Sequence, residues 1–411
     1  MPRTGRRLAL AALALALSSC REPYRVPAGP VSADAPPPIS PAAVPGVAAS
    51  VTPVGTSGVP PMPLISRGLP VFASRSISPA ECAIDDDYGT AWSSGHAPTA
   101  AEPDWIAVDL SSVPAARRAS VYSVWFNEAG YVYDTSEGYS YALPGDYEIQ
   151  SHAGPGGGPP PAGGWTTLVS RKGSTLSSGA DLLHLDSATW LRFICTANAR
   201  NTAPQNAYLA IEWDLHDAHA SLDAWRFVGD SITANAMGHR KTNDSFNQLV
   251  SKQVPNFPAF EMAGHGFWTS ATALGSIDAF LANFPGRFVA LPLGTNDADP
   301  DDYRANMRKV IDRVLAAGKQ PVLPTIPYTG ELAHLPQIAK LNAVVRELYA
   351  SFGSRLTVGP DLYEVLYQGR SIMFDQPGDL HPNERGNAAI RQAWADAMVA
   401  RVYRPVAPAD R

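Results

Sequence analysis

The chain has 411 residues, of which 45% are hydrophobic, so it is long enough for more than one hydrophobic core. Its formal net charge is −6. This charge argues against electrostatic binding to nucleic acid, because proteins that follow a phosphate backbone carry an excess of Lys and Arg. Two domains joined by linkers are therefore the expected organisation, and no nucleic-acid partner is expected.

The N-terminus has the pattern of an export signal. Three arginines in the first seven residues precede the apolar run 8–17, which is too short for a membrane-spanning helix. The run ends in Leu17-Ser18-Ser19-Cys20, which resembles the signal of bacterial lipoproteins. The resemblance implies that residues 1–20 are a signal peptide, that Cys20 is lipidated, and that the protein is anchored to a membrane without crossing it. Arg21 after the cysteine implies the outer membrane of a Gram-negative cell, and an ordinary secretory signal is the alternative.

A linker and a β-rich region follow the signal. Residues 21–68 consist largely of Pro, Ala, Val, Ser and Gly, with almost no charge after Asp34, which predicts a stalk. Residues 69–217 contain short apolar runs separated by Gly, Pro and Ser, and no convincing helical pattern. This spacing predicts an all-β sandwich. The predicted strands are 105–110, 121–126, 147–150, 190–194 and 208–213.

The first half of this region resembles a known module. Residues 83–92, Ala-Ile-Asp-Asp-Asp-Tyr-Gly-Thr-Ala-Trp, followed by Trp105-Ile-Ala-Val-Asp-Leu110, look like discoidin or coagulation-factor type C domains. The resemblance implies a galactose-binding-like jelly-roll sandwich, glycan binding and, in several such modules, a structural calcium ion. The candidate calcium ligands are Asp85, Asp86 and Asp87, and a solvated acidic turn is the alternative. Tyr131, Tyr133, Tyr139 and Tyr141 are either a sugar-stacking surface or cross-strand packing.

Two cysteines remain once Cys20 is assigned to lipid. Cys82 and Cys195 lie in a chain that carries an export signal, and oxidising conditions outside the cytosol favour pairing. We therefore expect a disulfide between them, with two buried thiols as the alternative. No cluster of His, Cys and Asp shows the spacing of a catalytic metal site, so we expect a metal-independent reaction without a cofactor.

From residue 222 to about 405 the pattern alternates between strands and helices. Apolar runs at 226–228, 288–293 and 321–326 predict central parallel strands, and apolar residues at helical spacing predict helices over 303–317, 335–352 and 388–402. This alternation predicts a parallel sheet between two layers of helices, an α/β/α arrangement of the flavodoxin-like type. In such sheets the site forms at the carboxyl ends of the strands.

Four segments of this half together resemble the SGNH, or GDSL, hydrolase superfamily. They are Gly229-Asp230-Ser231, the stretch from Met262 to Ser270, Gly294-Thr295-Asn296-Asp297, and Asp379-Leu380-His381-Pro382. The resemblance covers about 222–400. It implies that Ser231 is the nucleophile, that His381 is the base, and that Gly266 and the Asn296 amide belong to the oxyanion hole.

The chemistry of these residue types agrees with the implied roles. A serine hydroxyl needs an imidazole within hydrogen-bond reach to act as a nucleophile. The backbone N–H of Ser231, the N–H of Gly266 and the amide of Asn296 are three donors for the oxyanion. Gly264 is the alternative glycine, because the asparagine that the family places before its glycine is absent here. His265 is expected to line the substrate pocket, and Asp297 to brace its turn.

The third member of the triad departs from the family pattern. The family places an aspartate three residues before the histidine, where this chain has Gly378, and Asp379 lies two residues before His381. Asp379 is the candidate, with Asp375 or a backbone carbonyl as alternatives. A dyad of Ser231 and His381 remains competent, because the third group mainly orients the base.

Together these features predict an extracytoplasmic, lipid-anchored serine esterase. The sandwich and the export signal favour an ester on a carbohydrate, and an O-acetyl group in particular. A lipase, an acyl-thioesterase or an O-acetyltransferase uses the same machinery. A glycan-binding lipoprotein with an inactive hydrolase domain is the alternative from a different class.

Overall fold

The structure is a computed structural model that describes residues 58–85, 87–88, 90–126, 143–174, 176, 178–199, 208–238 and 244–404. The signal at 1–20, residues 21–57 of the predicted stalk, Asp86 and the four tyrosines at 131–141 lie outside these ranges. The predicted end of the stalk at residue 68 is wrong, because residues 58–68 belong to the folded unit: Met62 and Ser66 are fully buried, and the Ile65 N–H donates to the Leu215 carbonyl at 2.8 Å. The described residues all belong to one compact unit that spans Val51–Arg411. Among the described residues, no helix combines the length and the apolar composition needed to cross a membrane.

Two antiparallel sheets form the β-rich half. The five-stranded sheet has the order β1-β3-β8-β5-β6, and the four-stranded sheet has the order β2-β9-β4-β7. A short helix, α1 (Ala115–Arg118), and a 3₁₀ turn at Ala80–Ala83 lie between strands. The strands are β1 (Val71–Ala73), β2 (Trp92–Ser93), β3 (Asp104–Asp109), β4 (Ser120–Phe126), β5 (Pro144–His152), β6 (Thr166–Arg171), β7 (Ser178–His184), β8 (Trp190–Asn198) and β9 (Ala210–Asp217).

Aromatic side chains from both sheets fill the space between them. The ring centroid of Phe193 of β8 lies 5.9 Å from that of Trp125 of β4 and 6.1 Å from that of Trp213 of β9, and all three side chains are fully buried. Burial of alternate residues along β5 and β8 fits sheets with one face on the core. The predicted antiparallel β-region is confirmed, and its jelly-roll topology stays a prediction.

The two cysteines and the acidic turn of this half have local partners. The predicted disulfide is wrong, because Cys82 and Cys195 are free. Cys195 is buried in the sandwich core, its Sγ donates to the Ala197 carbonyl at 3.2 Å, and burial raises the pKa of its thiol to about 12. Asp85 accepts hydrogen bonds from the Asp87 N–H and the Thr90 hydroxyl, so its carboxylate already stabilises its own turn.

A five-stranded parallel sheet forms the second half, with the order β11-β10-β12-β13-β14. Its strands are β10 (Ala224–Gly229), β11 (Ala259–Gly264), β12 (Phe288–Ala290), β13 (Gln320–Leu323) and β14 (Thr357–Val358). The helices are α2 (Ser231–Met237), α3 (Phe246–Ser251), α4 (Ser270–Ala282), α5 (Pro300–Ala316), α6 (Leu335–Phe352), α7 (Leu362–Gln368) and α8 (Glu384–Met398), which continues into a π-helical turn at Val399–Tyr403.

The predicted parallel α/β domain is confirmed. Every residue of β10 is buried, as expected for a parallel strand whose sheet is covered on both faces. Helix α5 begins after Asp299, whose carboxylate accepts hydrogen bonds from the N–H groups of Asp301 and Asp302, and Pro300 occupies its first turn.

The sandwich covers the edge of the parallel sheet. Tyr122, Val124 and Phe126 of β4 belong to the same hydrophobic cluster as the residues of β11. The Phe126 ring stacks on Phe260 of β11 with 5.7 Å between centroids. An exposed edge strand invites pairing with other chains, and here β4 and the neighbouring β7 pack against β11. The two halves therefore share a continuous core.

A buried ion pair lies beneath this contact. Arg226 of β10 and Glu261 of β11 are neighbours in the strand register, and their side chains meet at 2.6 Å with 3% and 1% exposure. The guanidinium also donates to the Phe280 carbonyl, and the hydroxyl of Ser178 of β7 lies 3.3 Å from the Glu261 carboxylate. Removing one partner of a buried pair leaves an uncompensated charge.

Glu261→Ala should therefore lower the free energy of unfolding by about 3–5 kcal/mol, measured by guanidinium denaturation with tryptophan fluorescence. The double variant Arg226→Met/Glu261→Leu should recover most of this loss. The matched control is Glu347→Ala, which breaks the exposed pair with Arg304 (2.8 Å) and should cost less than about 1 kcal/mol. Equal losses in Glu261→Ala and Glu347→Ala would contradict the account.

Candidate active site

The central strand delivers Ser231 to the start of a helix. Strand β10 ends at Gly229, Asp230 is the N-cap of α2, and Ser231 is its first residue. The Asp230 carboxylate accepts hydrogen bonds from the N–H groups of Ile232 (3.0 Å) and Thr233 (3.4 Å), as an N-cap aspartate does. Burial raises the pKa of Asp230 to about 6. The chain thus passes from strand to helix within one residue.

Two glycines let this turn pack closely against its neighbours. A Cβ on Gly264, at the end of β11, would lie 2.5 Å from the backbone nitrogen of Ala234. A Cβ on Gly229 would lie 2.8 Å from the Pro292 carbonyl oxygen and closer still to Thr233. Neither position has room for a side chain, so the ends of β10 and β11 can approach α2 only with glycine there.

The Ser231 hydroxyl meets the imidazole of His381. Ser231 Oγ lies 2.7 Å from His381 Nε2, within the distance expected of a nucleophile and its general base. His381 stands on the loop before α8, and Asn383 caps that helix with its side-chain oxygen. The Asn383 amide nitrogen also donates to the Ile372 carbonyl (3.1 Å) and to Asp375 (3.0 Å), which fixes the loop that carries His381.

The two candidate aspartates act on this loop in different ways. The Asp379 carboxylate accepts a hydrogen bond from the Gln376 N–H at 2.9 Å, and Asp375 is bound to Asn383. Within the described ranges, no carboxylate is hydrogen-bonded to the imidazole of His381. Desolvation beside Ser231 lowers the pKa of His381, and the negative charge of Asp379 opposes this by raising it. Asp379 therefore acts on the imidazole through its charge.

The expected oxyanion donors differ in the partners that they already have. Gly264 donates its N–H to Met262 Sδ at 3.1 Å, whereas an added Cβ on Gly266 would meet no atom within 4 Å. Gly266 is favoured over Gly264, because the Gly264 N–H already has a partner and Gly266 has free space on its Cα side. The Asn296 amide donates one N–H to the Trp268 carbonyl at 3.0 Å. An amide carries a second N–H, which is available for the oxyanion.

Two neighbouring residues hold the loops around the site. Asp297 accepts hydrogen bonds from the backbone N–H and the hydroxyl of Ser270, so it braces the loop after β12 against the start of α4, as expected. His265 stacks on Trp268 with 4.2 Å between centroids, and burial lowers its pKa to about 4. It supports the loop between β11 and α4, and its expected place in the lining of the substrate pocket stays a prediction.

A cleft of about 440 Å³ opens beside Asn296. Its lining combines hydroxyl, amide, carboxylate and imidazole groups with one aromatic ring. The residues are Phe267, Thr269, Thr295, Asn296, Asp297, Ala298, His334 and Gln337. Phe267, His334 and Gln337 were not predicted as site residues. Phe267 lies within the motif from Met262 to Ser270 but has no distinguishing signal there. His334 directly precedes α6 and Gln337 lies in its first turn, far from that motif in sequence.

Residues 227–389 match the GDSL-like lipase/acylhydrolase family. The C-terminal domain is a GDSL-like lipase/acylhydrolase domain. The protein is accordingly a hydrolase of ester bonds, which confirms the predicted class of enzyme. The matched segment contains the Ser231–His381 contact and both loops that surround it.

Several solved structures are similar to parts of the chain. A lipase/acylhydrolase from Enterococcus faecalis is 22% identical, with 45% of this chain and 99% of that chain covered and a TM-score of 0.37. An acetyl xylan esterase from Geobacillus stearothermophilus is 14% identical, with 43% and 94% covered and a TM-score of 0.37. A chitosan-binding module of a chitosanase/glucanase from Paenibacillus sp. IK-5 is 22% identical, with 36% and 96% covered and a TM-score of 0.25. No curated protein matches the sequence.

No group of three or more His, Cys, Asp or Glu residues suited to a metal ion occurs in the described part of the chain. The candidate site of the GDSL-like domain consists of a serine, an imidazole and backbone or amide donors. These are the groups that acyl transfer through a serine requires.

The charge of Asp379 predicts the direction in which the pH dependence of kcat/KM shifts when this residue is replaced. His381 must be neutral to accept a proton, so kcat/KM should rise with pH through a pKa below the ordinary value of about 6.5. Asp379→Asn removes the charge that raises this pKa, so the acidic limb should move to lower pH. The loss on the plateau should stay far below the roughly 10⁴-fold that follows when a hydrogen-bonded triad aspartate is replaced.

The measurement is a pH profile of kcat/KM for both proteins, with Asp375→Asn as the matched control. Asp375 bonds Asn383 and should leave the limb in place. A shift of the limb to higher pH in Asp379→Asn would contradict this reading.

Proposed function

We propose that the protein is an extracytoplasmic serine esterase that removes short O-acyl groups, acetyl above all, from carbohydrates. The observation that carries the proposal is the 2.7 Å contact between Ser231 Oγ and His381 Nε2 at the carboxyl end of the central strand. Such a contact activates a hydroxyl that is otherwise a weak nucleophile.

In the proposed reaction, Ser231 attacks the ester carbonyl while His381 accepts its proton. The N–H groups of Ser231 and Gly266 and the second N–H of Asn296 stabilise the oxyanion. His381 then gives the proton to the leaving alcohol, and water repeats the sequence on the acyl-enzyme. Asp379 raises the pKa of His381 through its charge and so favours proton uptake, while the Asn383 contacts position the loop.

The lining of the cleft supports a hydroxyl-rich alcohol and a short acyl group. Apart from Phe267 and Ala298, every residue that lines it carries a polar side chain. A long acyl chain gains its affinity from apolar surface removed from water, and Phe267 and Ala298 are the two residues of this lining whose side chains are wholly apolar. A sugar offers hydroxyls that pair with the amide, hydroxyl and imidazole groups present.

We place this reaction outside the cytosol on the strength of the N-terminal pattern. The basic segment, the apolar run and Cys20 support a lipid anchor, and the Pro-rich stalk supports separation from the membrane surface. The wild-type chain, expressed in a Gram-negative host fed alkyne-palmitate, should be labelled and fractionate with membranes. Cys20→Ala should lose both properties, and an unlabelled wild-type chain would refute the anchor.

The catalytic proposal predicts that Ser231→Ala lowers kcat on p-nitrophenyl acetate by about 10⁴-fold or more. Asn296→Ala should cost about 10²- to 10³-fold, as the loss of one oxyanion donor does. Ser251→Ala, a like change on the exposed end of α3, should keep wild-type turnover. Wild-type turnover in Ser231→Ala would refute the proposal.

An acyl series on the wild-type enzyme then tests the short-acyl part of the proposal. kcat/KM should be greatest for acetyl and fall for butyryl and octanoyl esters. A preference for octanoyl would favour a lipase. Acyl transfer to an added sugar faster than hydrolysis would favour an acetyltransferase.

A further inference from the structure

Phe267 has a backbone conformation that an aromatic residue rarely adopts. Its φ is 62°, and only one other non-glycine residue of the described ranges, Asp186, has a positive φ. For a side chain with a Cβ the left-handed region is disfavoured, whereas glycine adopts it freely. Folding alone would therefore favour glycine here, and the loop keeps a phenylalanine.

The Phe267 ring contributes little to the core. The residue is 76% exposed, the highest value among the exposed large hydrophobic residues of the described chain. Its neighbour Trp268 does the opposite, because it stacks on His265 at 4.2 Å and meets Phe280 edge-on at 5.7 Å. One aromatic side chain anchors the loop between β11 and α4, and the next projects into solvent.

The exposed ring lies at the cleft beside Asn296, and an amide from another element lines the same cleft. Gln337 of α6 lines the same cleft, and its Nε2 is buried with no hydrogen-bond partner in the described structure. Buried polar groups without a partner are rare, and a ligand hydroxyl would supply one. The cleft thus combines a bare aromatic face with an unused donor.

We propose that Phe267 and Gln337 form a subsite for a pyranose ring of the alcohol part of the substrate. The apolar face of the ring would lie on Phe267, and a rotation of the Gln337 side chain would bring its solvent-shielded Nε2 to a ring hydroxyl. This inference rests on the proposed function, since it names the residues that select a cyclic sugar over other acetylated alcohols. Phe267 and Gln337 are specificity determinants, and neither is required for the chemistry of Ser231.

The test compares two acetate esters that differ in the alcohol. For an acetylated methyl xylopyranoside, Phe267→Ala should raise KM about tenfold, the size of one good aromatic contact, with kcat within twofold of wild type. For glycerol triacetate, which has no ring, kcat/KM should be unchanged. Phe267→Tyr should restore the sugar KM, and Gln337→Leu should raise it without affecting glycerol triacetate.

The backbone supplies a second readout. Phe267→Gly removes the ring and relieves the left-handed strain, so it should melt at a higher temperature than Phe267→Ala while having the same raised sugar KM. Ile77→Ala, at a residue of the β-rich half that is 74% exposed, is the matched control and should leave both KM values unchanged.

An unchanged sugar KM in Phe267→Ala and Gln337→Leu would overturn the subsite. An equal loss of kcat/KM on both esters would also overturn it, because Phe267 would then act through the loop that carries Gly266. Neither outcome touches the proposed function, which fails separately if Ser231→Ala retains turnover on these esters.

Discussion

The hydrogen bond between Ser231 and His381 joins parts of the chain that lie 150 residues apart. It requires the Ser231 hydroxyl to lie at the carboxyl end of the central strand. The Asp230 cap and the close contacts of Gly229 and Gly264 around α2 place it there. It also requires the last loop to return to that point, and the side chain of Asn383 holds that loop on the other side. The catalytic pair is thus the product of two local constraints, a strand-to-helix turn and a capped final helix.

The β-rich half has a structural relation to this site that its resemblance to glycan-binding modules does not reveal. It packs on β11, the edge strand whose end leads into the loop with Gly266 and Phe267. The Arg226–Glu261 pair lies in the same two strands that end at Gly229 and Gly264. Covering this edge buries the apolar side chains of β11 and fixes the strand that leads into the loop with Gly266 and Phe267. The sandwich is therefore part of the framework of the hydrolase.

Much of the fold could be predicted because burial shapes the sequence directly. Continuous apolar runs predicted β10, β12 and β13, and helical spacing predicted α6 over its full length. Strand β11 was missed because Glu261, which is neutralised only by Arg226 across the sheet, interrupts its apolar pattern. The position of Asp379 and the stacking of His265 depend on side-chain directions in turns, which spacing does not encode. Cys82 lies in a 3₁₀ turn and Cys195 in strand β8, and spacing does not encode whether these two elements bring their thiols together. Gln337 reaches the cleft only through the packing of α6, so no local pattern could identify it.

The proposed esterase function depends on Ser231 being a nucleophile that His381 activates. The most direct test is to react the purified enzyme with a fluorophosphonate and locate the adduct by mass spectrometry of the intact protein and its peptides. One adduct per chain, on Ser231, with labelling strongly slowed in His381→Ala, is the predicted result. No adduct in the active wild-type enzyme, or an adduct on another serine, would contradict it.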